Sequence, residues 1–211
     1  MNPTIADILS LPDENPVKQA LLSAGIGCLY DDFCNRVESA ILEGIIHFED
    51  NKPYFKGLGE DALTVTLAFG LKMKGFTADH DNYRNGHCDL VVKEGFYEWH
   101  GEAKLDTGPG YVMEGFRQLC DRYSPGGPNS HRGGLIIYTK KRDKLKILKT
   151  WAARIVKDYE VAVSFSDICK HTLTTKSVHK HTASGLDYKI RHLPISFYHK
   201  PSDKSARNRK S

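Results

Sequence analysis

Apolar positions recur every three to four residues beyond Asp32. Phe33, Val37, Ala40, Ile41, Ile45 and Phe48 fall on one side of a helix that Asp31 or Asp32 can cap. A second helical pattern, from residue 59 to about 74, puts Leu63, Leu67 and Leu71 in one stripe and stops at Gly75. The period then shortens. Residues 76–84 read as a strand, and residues 86–104, GHCDLVVKEGFYEWHGEAK, as two strands joined by a tight turn at Lys93-Glu94-Gly95. Helical spacing returns over 111–123, with Val112, Phe116, Leu119, Cys120 and Tyr123 as its stripe. An apolar run at 134–139 predicts a buried strand. Leu145, Leu148, Trp151, Ala152, Ile155 and Val156 predict the inner side of a helix, and 161–165 a short further strand. This strand–helix–strand order implies a crossover and a mixed sheet with helices on both faces, an α/β fold. Residues 1–30, broken by Pro12 and Pro16, read as short helical pieces.

The chemistry concentrates in residues 86–104. Glu98, His100, Glu102 and Lys104 fall two apart and so share a strand face, while Asp89 stands at the mouth of Leu90-Val91-Val92. Carboxylates brought together repel unless a proton or a cation separates them. A hard divalent ion such as Mg²⁺, which takes oxygen ligands and substrate phosphate, supplies that cation, and the lysine then meets the phosphate or the attacking water. The bland alternative is an exposed strand with alternating charges. Asp/Glu-x-Lys occurs three times in the chain, but Asp50-Asn51-Lys52 and Asp187-Tyr188-Lys189 lack an upstream apolar strand carrying an acid. Glu60 shares the Leu63–Leu67–Leu71 stripe, which points it inward, although a glutamate at a helix start also serves the dipole from the surface. By strand parity His87 lies beside Asp89 and His100 beside Glu102; either could serve as a general acid or base, but each reads first as a polar neighbour that hydrogen-bonds a ligand carboxylate, outside the core set. The glycine-rich stretch 105–110 carries no recognisable phosphate-loop motif and reads as a strand-to-helix connection, the alternative being a backbone N–H cradle for phosphate.

Asp89, twelve intervening residues and Glu102-Ala103-Lys104 together resemble the PD-(D/E)xK nuclease superfamily, over about residues 55–165. Cys88 stands where that pattern usually has proline. The resemblance implies a restriction-endonuclease-like mixed central sheet flanked by helices. It also implies Mg²⁺, with Mn²⁺ as a substitute, held by Asp89, Glu102 and the Ala103 carbonyl, with Glu60 assisting from the preceding helix. Lys104 would stabilise charge or orient the nucleophile. Gln118, in the following helix, corresponds to a position that holds the water or a phosphate oxygen, its alternative being a solvated polar residue. The implied activity is Mg-dependent cleavage of DNA to 5′-phosphate and 3′-hydroxyl ends.

Composition bounds the rest. The chain has 211 residues and a net charge of +4, which permits a nucleic-acid partner without requiring one. The five cysteines form no C-x-x-C pair, so reduced thiols are expected rather than disulfides or a zinc ribbon. No apolar run reaches the roughly 20 residues of a membrane span, and the N-terminus lacks a signal pattern, so a cytoplasmic protein with no membrane partner is expected. The expected organisation is an N-terminal helical region (1–54), a nuclease core (55–168) and a basic, partly flexible extension (169–211). Lys140, Lys141 and Arg142 after the apolar strand, and Arg207, Arg209 and Lys210 in the tail, are the candidate contacts to double-stranded DNA. With no reader module visible, a protein partner or homo-oligomer is expected to supply targeting and control, as in an effector of an antiviral defence complex. The alternatives are a catalytically inactive nucleic-acid-binding subunit and a dimeric junction-resolving nuclease.

Overall fold

In the computed structural model, which describes residues 7–8, 10–12, 15–23, 30–83 and 86–202, fourteen segments of regular structure follow one another. They are α1 (Pro16–Ser23), α2 (Tyr30–Asp50), α3 (Lys52–Phe55), α4 (Glu60–Met73), β1 (Thr77–Tyr83), β2 (His87–Glu94), β3 (Tyr97–Leu105), α5 (Pro109–Arg117), a π-helical turn (Gln118–Tyr123), β4 (Arg132–Thr139), α6 (Lys144–Asp158), β5 (Ser164–Phe165), β6 (Thr175–Lys180) and β7 (Asp187–Ser196). One mixed sheet results, ordered β1-β2-β3-β4-β7-β6-β5. Its centre, β3-β4-β7, is parallel, and both margins are antiparallel. Among the described residues no helix is long and apolar enough to cross a membrane.

Alternation along the strands decides what each face carries. Leu90, Val92, Trp99, Ala103, Ile136 and Tyr138 pack with the stripes of α2 and α4 on one face. Leu135, Ile137 and Ile190 pack with Val112, Phe116 and Trp151 of α5 and α6 on the other. The β2–β3 hairpin turns through Gly95, whose φ of 56° a side chain would strain. Every apolar residue expected on the α2 stripe is buried, Phe33 and Ile41 completely.

Two boundaries move. The N-terminal helical region is no separate unit, because α2 supplies one half of the main core and its Glu38 accepts from Arg132 of β4 at 2.7 Å and from Arg191 of β7 at 3.0 Å. Within the expected extension, residues 175–180 and 187–196 supply β6 and β7, with β7 between β4 and β6, so this part belongs to the sheet. The buried positions of β6, Thr175, Ser177 and His179, are polar, whereas β7 buries Tyr188, Ile190, Leu193 and Ile195 as well as His192. Arg207, Arg209 and Lys210 lie outside the described residues. In α6 the inner stripe is narrower than expected, since Leu148, Trp151 and Ile155 are buried but Leu145 and Val156 are exposed.

Hydrogen bonds join aromatic packing around the buried histidines of β6 and β7. Trp151 Nε1 donates to His192 Nδ1 at 3.0 Å, and Ser177 Oγ lies 2.8 Å from His192 Nε2. Burial pushes the His192 imidazole down to about 3 and that of His179 to about 4. Both are therefore neutral when folded, and their stabilising contribution is complete above the ordinary imidazole value near 6.5. As pH falls below that value the unfolded chain takes up protons that the folded chain refuses, so stability drops by about 1.4 kcal/mol per pH unit for each histidine. Urea unfolding between pH 7 and 5 should show this slope. His192→Gln, which preserves a donor and an acceptor, should reduce it by one proton, and an unchanged slope would exclude His192 as its source.

Candidate functional site

Strand pairing brings the acidic residues together. Leu90 of β2 opposes Gly101 of β3, so Asp89 lies beside Glu102 and Ala103, and its Oδ2 accepts from the Ala103 N–H at 2.9 Å. Because Leu90, Val92 and Ala103 face α2 and α4, the intervening residues Asp89, Glu102 and Lys104 face α5. Glu60 reaches the same point from the first turn of α4. Its carboxylate accepts from the Leu105 N–H and, at 3.1 Å, from Tyr111 Oη.

Lys104 Nζ is the centre of the cluster. It lies 2.5 Å from Glu102 and 3.6 Å from both Asp89 and Glu60, with Tyr111 presenting its ring 5.5 Å away. Burial alone would lower the lysine pKa, but Glu102, Asp89 and Glu60 together hold it above its ordinary value. For Glu102, burial comes first and the Asp89 charge second, and the carboxyl is raised to about 8 despite the ammonium beside it. One ammonium offsets three carboxylates incompletely.

The lysine is held in place by a missing side chain. A Cβ on Gly115 of α5 would stand 2.5 Å from Lys104 Cγ and 2.9 Å from Cε, so only glycine lets the lysine stem lie flat against the helix. Gly115→Ala should therefore cost roughly 1–3 kcal/mol of stability by overpacking and expel the ammonium from between the carboxylates. Thermal unfolding reads the first effect and a lysine-directed NMR titration the second; an unmoved Lys104 signal would contradict the packing argument.

Other expected site residues fare differently. Gln118 opens the π-helical turn, which packs against β2 and β3, and its Oε1 is buried without a hydrogen-bond partner. Single π turns inside helices favour functional positions. His87 is exposed and pairs with Asp81 at 2.7 Å, away from the carboxylates. His100 is fully buried with its Nε2 3.2 Å from Glu98. Lys140, Lys141 and Arg142 are exposed at the C-terminal end of β4. Tyr111 and Gly115 were not anticipated. The signal for Gly115 was present, an isolated glycine within a helical pattern.

Among the described residues no group of three His, Cys, Asp or Glu side chains is gathered closely enough to hold a metal ion as it stands, Lys104 lying between the acids. The donor set nonetheless fits a hard cation. It is all oxygen, it carries uncompensated negative charge, and Glu102 Oε2 is buried without a partner. Comparison with known protein families, curated proteins and solved structures gives no match for this chain.

Proposed function

We propose that the protein is a metal-dependent nuclease that hydrolyses phosphodiester bonds of DNA, built on a restriction-endonuclease-like variant of the mixed sheet. One observation carries the reading. Asp89 and Glu102 from adjacent strands and Glu60 from a helix converge on the ammonium of Lys104 at the C-terminal end of a parallel strand, where open α/β sheets place their ligands.

Asp89, Glu102 and the Ala103 carbonyl would hold Mg²⁺ or Mn²⁺, with Glu60 beside them. When bound, the ion supplies Lewis-acid stabilisation of phosphate charge and a water of lowered pKa. Lys104 carries a positive charge beside the attacked phosphate, in a buried setting where one charge counts for more than in water. Tyr111 and the Leu105 N–H orient Glu60, and the unpartnered amide oxygen of Gln118 can accept from the attacking water. Lys140 and Arg142 offer exposed positive charge to the flanking backbone.

The second reading, a nucleic-acid-binding protein without catalysis, is favoured by the Lys104–Glu102 ion pair, which fills the space between the acids. Conversion of supercoiled plasmid to nicked or linear forms distinguishes the two. Cleavage with Mg²⁺ that stops with a chelator is the expected result, whereas metal-independent binding with no cleavage of plasmid or single-stranded DNA would support the second reading.

A further inference from the structure

A separate cleft of about 390 Å³ opens on the same face of the sheet, between α5 and α6. Its floor is apolar, formed by Val112, Ile137, Ile147 and Trp151, while Lys141, Arg142, Lys146 and Arg154 supply four cations. Asp106 is the one carboxylate among the lining residues, and it is already engaged by Lys141 at 2.6 Å and Thr139 at 3.0 Å. Arg154 pairs with Asp158 at 3.0 Å. Arg142, over the Tyr198 ring at 5.7 Å, and Lys146 have no carboxylate partner among the described residues. An apolar slot beside two uncompensated cations matches a ligand with a flat, weakly polar body and an anionic end.

The position of the cleft narrows the choice. Asp106 lies two residues beyond Lys104, about 7 Å along an extended chain, and Ile137 is the register partner of Lys104. On α5, Tyr111 bonds Glu60 while its neighbour Val112 lines the cleft. A polynucleotide held with one phosphate at Lys104 thus has its next nucleotide at the mouth of the slot. A base stacked and paired within a duplex cannot enter such a slot, whereas an unpaired or extruded one can.

We infer that the cleft takes one unpaired nucleotide of the substrate strand, base against the apolar floor and phosphate against Lys146 and Arg142, so that the protein prefers single-stranded or frayed segments to intact duplex. This inference rests on the nuclease reading and shares Arg142 with it, but the cleft residues Val112, Ile137, Lys146, Ile147 and Trp151 take no part in that reading. Trp151 borders the cleft and Trp99 is buried in the opposite core, so tryptophan emission reports occupancy. Titration of the full chain with thymidine 5′-monophosphate, without divalent metal, should quench emission saturably. Lys146→Glu and Arg142→Glu, both on exposed positions, should each weaken that binding by about tenfold or more, replacing attraction of the phosphate by repulsion. Equal quenching by inorganic phosphate would reduce the site to an anion patch and overturn the inference. So would tighter binding of dodecanoate, which would make the cleft a site for anionic amphiphiles. Absence of nucleotide binding overturns it too, while leaving metal-dependent plasmid cleavage as the separate measure of the nuclease reading.

Discussion

Asp89→Ala and Glu102→Gln should each abolish Mg²⁺-dependent cleavage of plasmid DNA while leaving the protein folded and no less stable at pH 8. Two effects act in opposite directions. Each substitution removes an oxygen ligand from the proposed cation site, and activity falls with the ligand set. Each also removes one of the negative charges that crowd Lys104. A carboxyl whose pKa is raised on folding costs nothing below its unfolded value near 4.3, and its cost grows as pH climbs towards the folded value. For Glu102, raised to about 8 by burial and then by Asp89, that penalty covers the whole neutral range. Glu102→Gln lifts it directly, and Asp89→Ala lowers the Glu102 value by removing its neighbour. Urea midpoints at pH 5 and pH 8 should therefore show the variants gaining on wild type as pH rises. Wild-type cleavage by either variant would remove the carboxylates from the mechanism, and unfolding of both would mean that the cluster is a structural ion network instead.

Much of this geometry could be read from residue spacing, because strands of fixed period leave little freedom. Once Gly95 sets the hairpin, Leu90 meets Gly101, and Asp89 must approach Glu102. Glu60 was placed by the same logic on a helix, since its stripe also carries Leu63 and Leu67, both buried. What escaped were contacts between elements distant in sequence. Tyr111 bonds Glu60 across 51 positions, and Gly115 matters only because a lysine stem crosses it. Spacing along one chain carries no information about the first contact, and for the second it shows an isolated glycine in a helical pattern but not the side chain that crosses it.

The two late strands were hidden for another reason. In β6 the buried face is Thr175, Ser177 and His179, which reads as solvated polar sequence, and β7 contains Pro194 in register with Ile137 of β4. A proline argues against a central strand because it donates no ladder hydrogen bond. Hydrogen bonding of His192 to both Trp151 and Ser177 makes such a polar interior tolerable. The basic character of this region thus divides between exposed lysines such as Lys176 and Lys180 and an arginine, Arg191, largely committed to Glu38.

Lys104 is where stability and activity are expected to separate most widely. Lys104→Met preserves the stem lying against Gly115 but deletes the only cation within 4 Å of Glu102 and Glu60 among the described residues. Breaking a buried ion pair by removing one partner typically costs about 3–5 kcal/mol, and the cost should grow as pH rises towards and past the raised Glu102 value of about 8, where the carboxylates are ionised together. Cleavage should fall by roughly 10²–10³, as for loss of a preorganised transition-state charge. The double variant Lys104→Met/Glu102→Gln then separates the causes. It removes the ammonium and the most buried acid together, so much of the stability lost in Lys104→Met should return, a coupling measurable as a double-mutant cycle. Activity should not return, because the phosphate still lacks its charge partner and the cation site a ligand. Saturating Mg²⁺ should likewise restore part of the stability of Lys104→Met, since an ion between the carboxylates replaces the missing ammonium. If the double variant were no more stable than Lys104→Met, and Mg²⁺ had no effect on either, the carboxylates would not be repelling one another and the electrostatic account of the site would fail.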